Sequence, residues 1–243
     1  MGDAKDVMQN ITRKKGVNYP VLTPNKKGLD AALEVGATEV AIFGAASDSF
    51  SKKNINCNVV DSLERFRPVC EEATAAGLKV RGYVSCVLGC PYEGDIHPDA
   101  VGFVAASLRE MGCYEISLGD TIGVGTPIKT KALIDSIRNH VPMENIAVHF
   151  HNTYAQALAN ILVAIQEGVA TVDSSVAGLG GCPYAKGASG NVPTEDVIYM
   201  LHGMGIETGT NLEHLVDAGQ WMCDLLGKRN GSNVANAILA KRG

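Results

Sequence analysis

The sequence predicts an α/β fold in which a parallel sheet curls into a TIM (β/α)8-type barrel, and three observations predict it. Short apolar runs alternate with amphipathic helical stretches, the pattern of successive βα units. Several of those runs carry polar residues at every second position, as a strand does when one face meets apolar helices and the other encloses a polar interior. The length, 243 residues with 46% hydrophobic and 19% charged residues, suits a barrel with a full core, and no low-complexity linker divides it. One domain over 1–243 is expected.

The chain opens in a helix over 3–11 and then gives six strand candidates, at 17–22, 39–43, 80–86, 114–118, 146–151 and 171–174. Pro20 in the first fits an edge position, where a missing N–H costs no ladder bond. The helix over 59–76 places Val59, Leu63, Phe66, Cys70 and Ala73 at steps of four and three, one apolar stripe. Leu158, Ile161, Leu162 and Ile165 are expected to line the helix that follows 151. Thr126-Pro127 opens another helix as N-cap and first-turn proline, and Pro98 does so after His97. A glycine-rich loop, a helix over 194–204 and two terminal helices near 211–227 and 232–241 complete the chain. Eight strands close such a barrel, so six leave a gap two strands wide and describe about six βα units of an incomplete barrel with extra C-terminal helices.

Polar residues inside strands specify the interior. Arg81, Tyr83 and Ser85 alternate with Val80, Gly82 and Val84; Glu115 and Ser117 alternate with Ile116 and Leu118; Asp173 lies between Val172 and Ser174. Arg81 is expected to pair inside the barrel with Glu115 or Asp173, since an unpaired buried charge is severely costly.

Bulk properties exclude several classes. A net charge of -5, with no basic run longer than Arg13-Lys14-Lys15, argues against a nucleic acid partner. No apolar run approaches the ~20 residues of a membrane span, and the polar start is no signal peptide. The expected ligand is a small molecule. Seven cysteines, an odd count in a chain too long to depend on disulfides, read as a reducing compartment in which most are buried small hydrophobes.

The candidate chemistry gathers at strand ends, where barrels carry their active groups. His149 and His151, two apart on one strand, share a face and either close on a metal or sit as satisfied core or rim histidines. Asp120, after the fourth strand, is read as base, ligand or N-cap. Residues 178–191 hold five glycines in fourteen, a loop built to move or to approach a ligand closely. Its Cys182 is either a thiol that exchanges a proton or an incidental one. Asn191 caps the next helix or gives a carbonyl oxygen to a hard cation. Two imidazoles and an amide leave that shell short of a carboxylate, for which the chain offers no compelling candidate.

His149-Phe150-His151, 118–123, 81–86, 89–94 and 180–191 together resemble the 3-hydroxy-3-methylglutaryl-CoA lyase family, of the metal-dependent barrel superfamily that includes pyruvate carboxyltransferase-like domains. The likeness spans nearly the whole chain. It implies His149, His151 and Asn191 as ligands of a divalent cation, magnesium or manganese, Cys182 as the catalytic cysteine, Asp120 as an active-site aspartate and His149 as catalytic. It implies Lys52, Lys53 and Asn54 as acyl-CoA contacts, a homodimer, and a mitochondrial matrix or bacterial cytoplasmic setting. The implied reaction breaks the C2–C3 bond of the substrate to give acetoacetate and an acetyl-CoA enolate that is then protonated. Family members open with a strand bearing an arginine-aspartate pair and place an essential glutamate on the second strand. Neither has a counterpart here, which implies a missing amino-terminal portion, weak metal binding and poor catalysis by the chain as written. Asn152 and Ala155 stand where members usually have aspartate and glycine, and Phe150 replaces a small residue. Two rival readings are another acyl-CoA or oxo-acid lyase or synthase of the superfamily, against which the Cys182 loop argues, and a non-catalytic paralogue that associates through exposed strand edges.

Overall fold

The computed structural model describes residues 3–181 and 190–242. Its six strands, β1 (Val21–Leu22), β2 (Glu39–Ala45), β3 (Lys79–Ser85), β4 (Glu115–Asp120), β5 (Ile146–Phe150) and β6 (Thr171–Asp173), pair parallel in chain order. Helices α2 (Lys26–Glu34), α3 (Asp48–Ile55), α4 (Val59–Ala75), α5 (Pro98–Glu110), α6 (Pro127–Ile137) and α7 (Ala157–Gln166) join successive strands. They follow α1 (Ala4–Asn10) and precede α8 (Thr194–Gly203), α9 (Leu212–Leu226) and α10 (Asn233–Leu239).

The period-2 reading of the strands holds. Val80, Val84, Ile116, Leu118, Val148 and Phe150 are buried in one hydrophobic cluster with α4, α5, α6 and α7. Arg81 on β3 reaches Glu115 (2.5 Å) and Asp173 of β6 (2.9 Å), the expected partners, both at once. Three strand spacings on a flat sheet amount to roughly 14 Å. Contact between β3 and β6 therefore requires the sheet to curl, with its polar face inside. Thr171 Oγ1 donates to Glu115 Oε2 at 3.0 Å and Ser117 Oγ to Asp173 Oδ2 at 2.8 Å, which ties β4 to β6 across β5.

Some expectations need correction. The first strand shrinks to Val21–Leu22 because it has only β2 to pair with; Val17 is half exposed and Pro20 has no N–H to offer. On α7 the buried face is Ala157, Asn160, Ile161 and Ala164, with Leu158 and Ile165 at its edge: small residues let the helix lie close to the sheet. The Val59, Leu63, Phe66, Cys70 and Ala73 stripe is buried as read. Thr126 sits at the N-cap of α6 without a side-chain bond, whereas His97 caps α5 by accepting from Asp99 N.

Candidate metal centre

β5 ends in the candidate site. His149 is in register with Gly119 on one side and Asp173 on the other, and the imidazoles of His149 and His151 lie 5.5 Å apart, centroid to centroid. The strand alternation that brought them together sends Phe150 into the helix layer, where it is 1% exposed. Its bulk, a departure from the family pattern, therefore does not enter the histidine face.

Asn191 returns beside them because residues 190–194 run back along the strand ends. His151 and Asn191 form an antiparallel bridge, Ser175 and Pro193 a parallel one, and Asn152 N donates to Gly190 O at 3.1 Å. Only glycine permits this path. Gly180 and Gly190 have positive φ, and a Cβ on Gly190 would meet Gly180 O at 2.3 Å, while one on Gly180 would meet Asn191 Nδ2 at 2.9 Å. Asn191 does not cap α8, whose N-cap is Pro193. Its Nδ2 donates to Leu179 O at 3.0 Å and its Oδ1 faces His149 Nε2 at 3.0 Å.

The other edge of His149 meets the interior network. Its Nδ1 lies 3.4 Å from Asp173 Oδ2, and the Tyr83 ring stands edge-on to it at 6.1 Å. Burial would raise the Asp173 carboxyl, but its contacts with His149, Arg81 and Ser117 prevail and hold it below the usual carboxylate range. Burial pushes the Tyr83 hydroxyl up to about 12, with Asp173 adding to the effect; that hydroxyl accepts from Arg81 Nη1. Burial, aided by His149, lowers His151 to about 4, so its ring is neutral and able to act as a ligand near pH 7.

Asp120 is placed differently. Three positions on from Ser117, it points away from the imidazole face, is 0% exposed and accepts from Val124 N (3.2 Å) and Gly125 N (2.8 Å). Burial raises it to about 6. Its carboxylate shapes the 121–126 turn, and its backbone carbonyl accepts from His151 N at 3.3 Å. Lys52, Lys53 and Asn54 lie at the end of α3, beyond the carboxyl end of β2; both lysines are exposed, Lys52 3.8 Å from Asp48, and Asn54 is half-buried. Cys182 lies outside the described residues. The partnership of Asp173 with His149 escaped the sequence reading, because it depends on the β5–β6 register; polar residues at alternate strand positions were the available signal.

The donor set fits a hard or borderline cation. His151 Nδ1 is buried with no hydrogen-bond partner, an atom that a cation would satisfy. Two ligands at right angles on an ion ~2.1 Å from each are about 3 Å apart, the separation of His149 Nε2 and Asn191 Oδ1. No group of three His, Cys, Asp or Glu side chains able to hold a metal occurs among the described residues, and the third donor of this cluster is accordingly an amide.

Fold and site define a curled α/β sheet of six parallel strands that brings two imidazoles and one carboxamide together at its carboxyl end, a donor set that fits a cation. The chain matches the HMGL-like family over residues 1–222. It is 58% identical over 241 residues to a 3-hydroxy-3-isohexenylglutaryl-CoA/hydroxy-methylglutaryl-CoA lyase of Pseudomonas aeruginosa, covering 99% of this chain and 80% of the relative. It is 60% identical over 237 residues to the mitochondrial hydroxymethylglutaryl-CoA lyase of Bos taurus, covering 98% and 73%. The crystal structure of hydroxymethylglutaryl-CoA lyase from Pseudomonas aeruginosa superposes with a TM-score of 0.97 over 99% of this chain and 80% of that one, at 58% identity. The chain belongs to the HMGL-like family of carbon–carbon lyases, which generally depend on a divalent metal. No helix among the described residues is long and apolar enough to cross a membrane.

Proposed function

We propose that this chain is a hydroxymethylglutaryl-CoA lyase polypeptide, one barrel domain over 1–243 that splits 3-hydroxy-3-methylglutaryl-CoA into acetyl-CoA and acetoacetate. The observation that carries the reading is the 3.0 Å approach of His149 Nε2 to Asn191 Oδ1 beside His151, in a chain 58% and 60% identical to lyases named for that substrate. His149, His151 and Asn191 are the ligands, and Mg2+ or Mn2+ the cation, because an amide oxygen with imidazoles suits an ion on the hard side. When bound, the cation supplies Lewis acidity toward the substrate's oxygens.

The C3 hydroxyl gives its proton to a general base at the site and becomes the ketone of acetoacetate. The C2–C3 bond breaks with its electron pair kept on C2 as the thioester enolate, and C2 then takes a proton, which we assign to the Cys182 thiol. Asp120 is assigned to hold the 121–126 turn and the His151 backbone; its carboxylate faces the helices. Lys52 and Lys53 are exposed cations suited to the phosphates of coenzyme A, with Asn54 beside them. A homodimer is the assigned assembly, in the mitochondrial matrix of a eukaryote or the cytoplasm of a bacterium.

The test measures Mn2+ binding by electron paramagnetic resonance, and acetyl-CoA release from both the methyl and the isohexenyl substrates named for the relatives. Mn2+ binding is expected to weaken in His149→Ala and in Asn191→Ala by more than roughly 10-fold, the loss already seen when an outer partner is removed. Equal binding by wild type and both variants overturns the site, and acetyl-CoA from neither substrate overturns the activity.

A further inference from the structure

Asn191 has one orientation open to it. Its Nδ2 donates to Leu179 O at 3.0 Å, and flipping the amide would set two carbonyl oxygens against each other. Oδ1 therefore faces His149 Nε2 as an acceptor. An imidazole nitrogen with its lone pair toward that oxygen is repelled unless a cation sits between them; one carrying a proton is a donor and cannot be a ligand. Which nitrogen of His149 is protonated thus decides whether the pair His149–Asn191 holds a metal.

We propose that Asp173 makes this decision: it is a positioning residue that accepts the His149 Nδ1 proton, leaving the Nε2 lone pair toward the cation. The proposal rests on the metal-site reading above. Asp173 is unsuited to be a ligand itself. Oδ1 lies 2.9 Å from Arg81 Nη1, and Oδ2 lies 3.0 Å from the same nitrogen and 2.8 Å from Ser117 Oγ, with His149 Nδ1 at 3.4 Å. Every one of these neighbours but the imidazole is an obligate donor or a hydroxyl bound as one, so the carboxylate meets His149 as an acceptor. Register supports the contact, since His149 and Asp173 are paired residues of β5 and β6. Carboxylate-backed imidazoles are the general device by which metal-ligating histidines have their tautomer and ring orientation fixed.

Asp173→Asn is the direct test, because an asparagine keeps the shape but can turn its amide nitrogen toward Nδ1 and force the opposite tautomer. Mn2+ affinity is expected to fall about 10- to 100-fold, and the 15N resonances of His149 in metal-free protein to move away from the Nδ1-protonated pattern. In a His149→Ala background Asp173→Asn is expected to cause no further loss. Ser117→Ala, which removes one support of the carboxylate, is the milder variant if Asp173→Asn does not fold, with a loss in the same direction and smaller. Wild-type affinity in folded Asp173→Asn, or an equal loss with and without His149, overturns the proposal. If wild type binds no Mn2+, the metal-site reading fails, and the 15N pattern in wild type and Asp173→Asn still decides whether Asp173 sets the tautomer.

Discussion

Asp120 holds a charge where water cannot reach it. Its backbone donors at Val124 and Gly125 favour the carboxylate, but burial outweighs them and lifts it from 3.8 to about 6. A folded pKa above the unfolded one means the native state keeps its proton longer. The contribution to stability is complete below about pH 4 and is lost as pH rises to about 6. One pKa unit is worth ~1.4 kcal/mol, so wild type should lose about 2–3 kcal/mol relative to Asp120→Asn across that window. Urea unfolding of both proteins in chelator at pH 4, 5, 6 and 7 measures this; parallel curves sink the assignment. The observed β4 runs on to Asp120 and pairs it with Phe150, so the period-2 rule that joined His149 to His151 puts it on the face opposite Ser117, which a strand read as ending at 118 did not reveal. Ala155 was legible as a departure: it stands at φ 58, a left-handed backbone that glycine adopts without a Cβ penalty. What no single residue could reveal is the Asn191 orientation, which depends on a carbonyl twelve positions away.

At the scale of elements, the start of α8 anchors the amino-terminal base of the glycine-rich segment. Glu195 and Asp196 occupy the first turn of α8, where the helix dipole favours acids. Both are in fact buried. Glu195 takes the N–H of Ala177 on both oxygens, at 3.0 and 2.9 Å, while Gly231 N donates to Ala177 O at 3.1 Å. Ala177 has φ 55, so its left-handed turn is held from both sides. Asp196 accepts from Ser232 Oγ (2.6 Å) and Val234 N (3.0 Å) and so fixes the start of α10. Helix positions were readable from periodicity, whereas these long-range anchors were not, because nothing local distinguishes a capping acid from one that reaches another element. Glu195→Ala leaves a buried N–H unpaired, which costs about 1–3 kcal/mol. Thermal and urea unfolding should register that loss, and an unchanged midpoint would show that the Ala177 contact contributes nothing.

For the whole molecule, the curl of the sheet and the polarity of its interior are one fact seen twice. The alternation of Arg81, Tyr83 and Ser85 with apolar residues announced a polar inside, and the pairing of Arg81 with carboxylates followed from the cost of leaving it alone. The reach of that network was less legible: it joins β3, β4 and β6, and through Asp173 it touches His149. Arg81, Glu115 and Asp173 side chains are 7%, 11% and 19% exposed, so the two acids depend on the guanidinium. Replacing a fully buried ion network by apolar groups is often tolerated, but removing one partner strands the others and costs about 3–5 kcal/mol. Arg81→Met is therefore expected to destabilise by about that amount, and adding Glu115→Gln to it should restore part of the loss, since one stranded charge is gone. Equilibrium urea unfolding of wild type, single and double variants separates these values. A double variant no more stable than Arg81→Met would mean that the guanidinium contributes packing across the curled sheet, with the charge of Glu115 met by Thr171 alone.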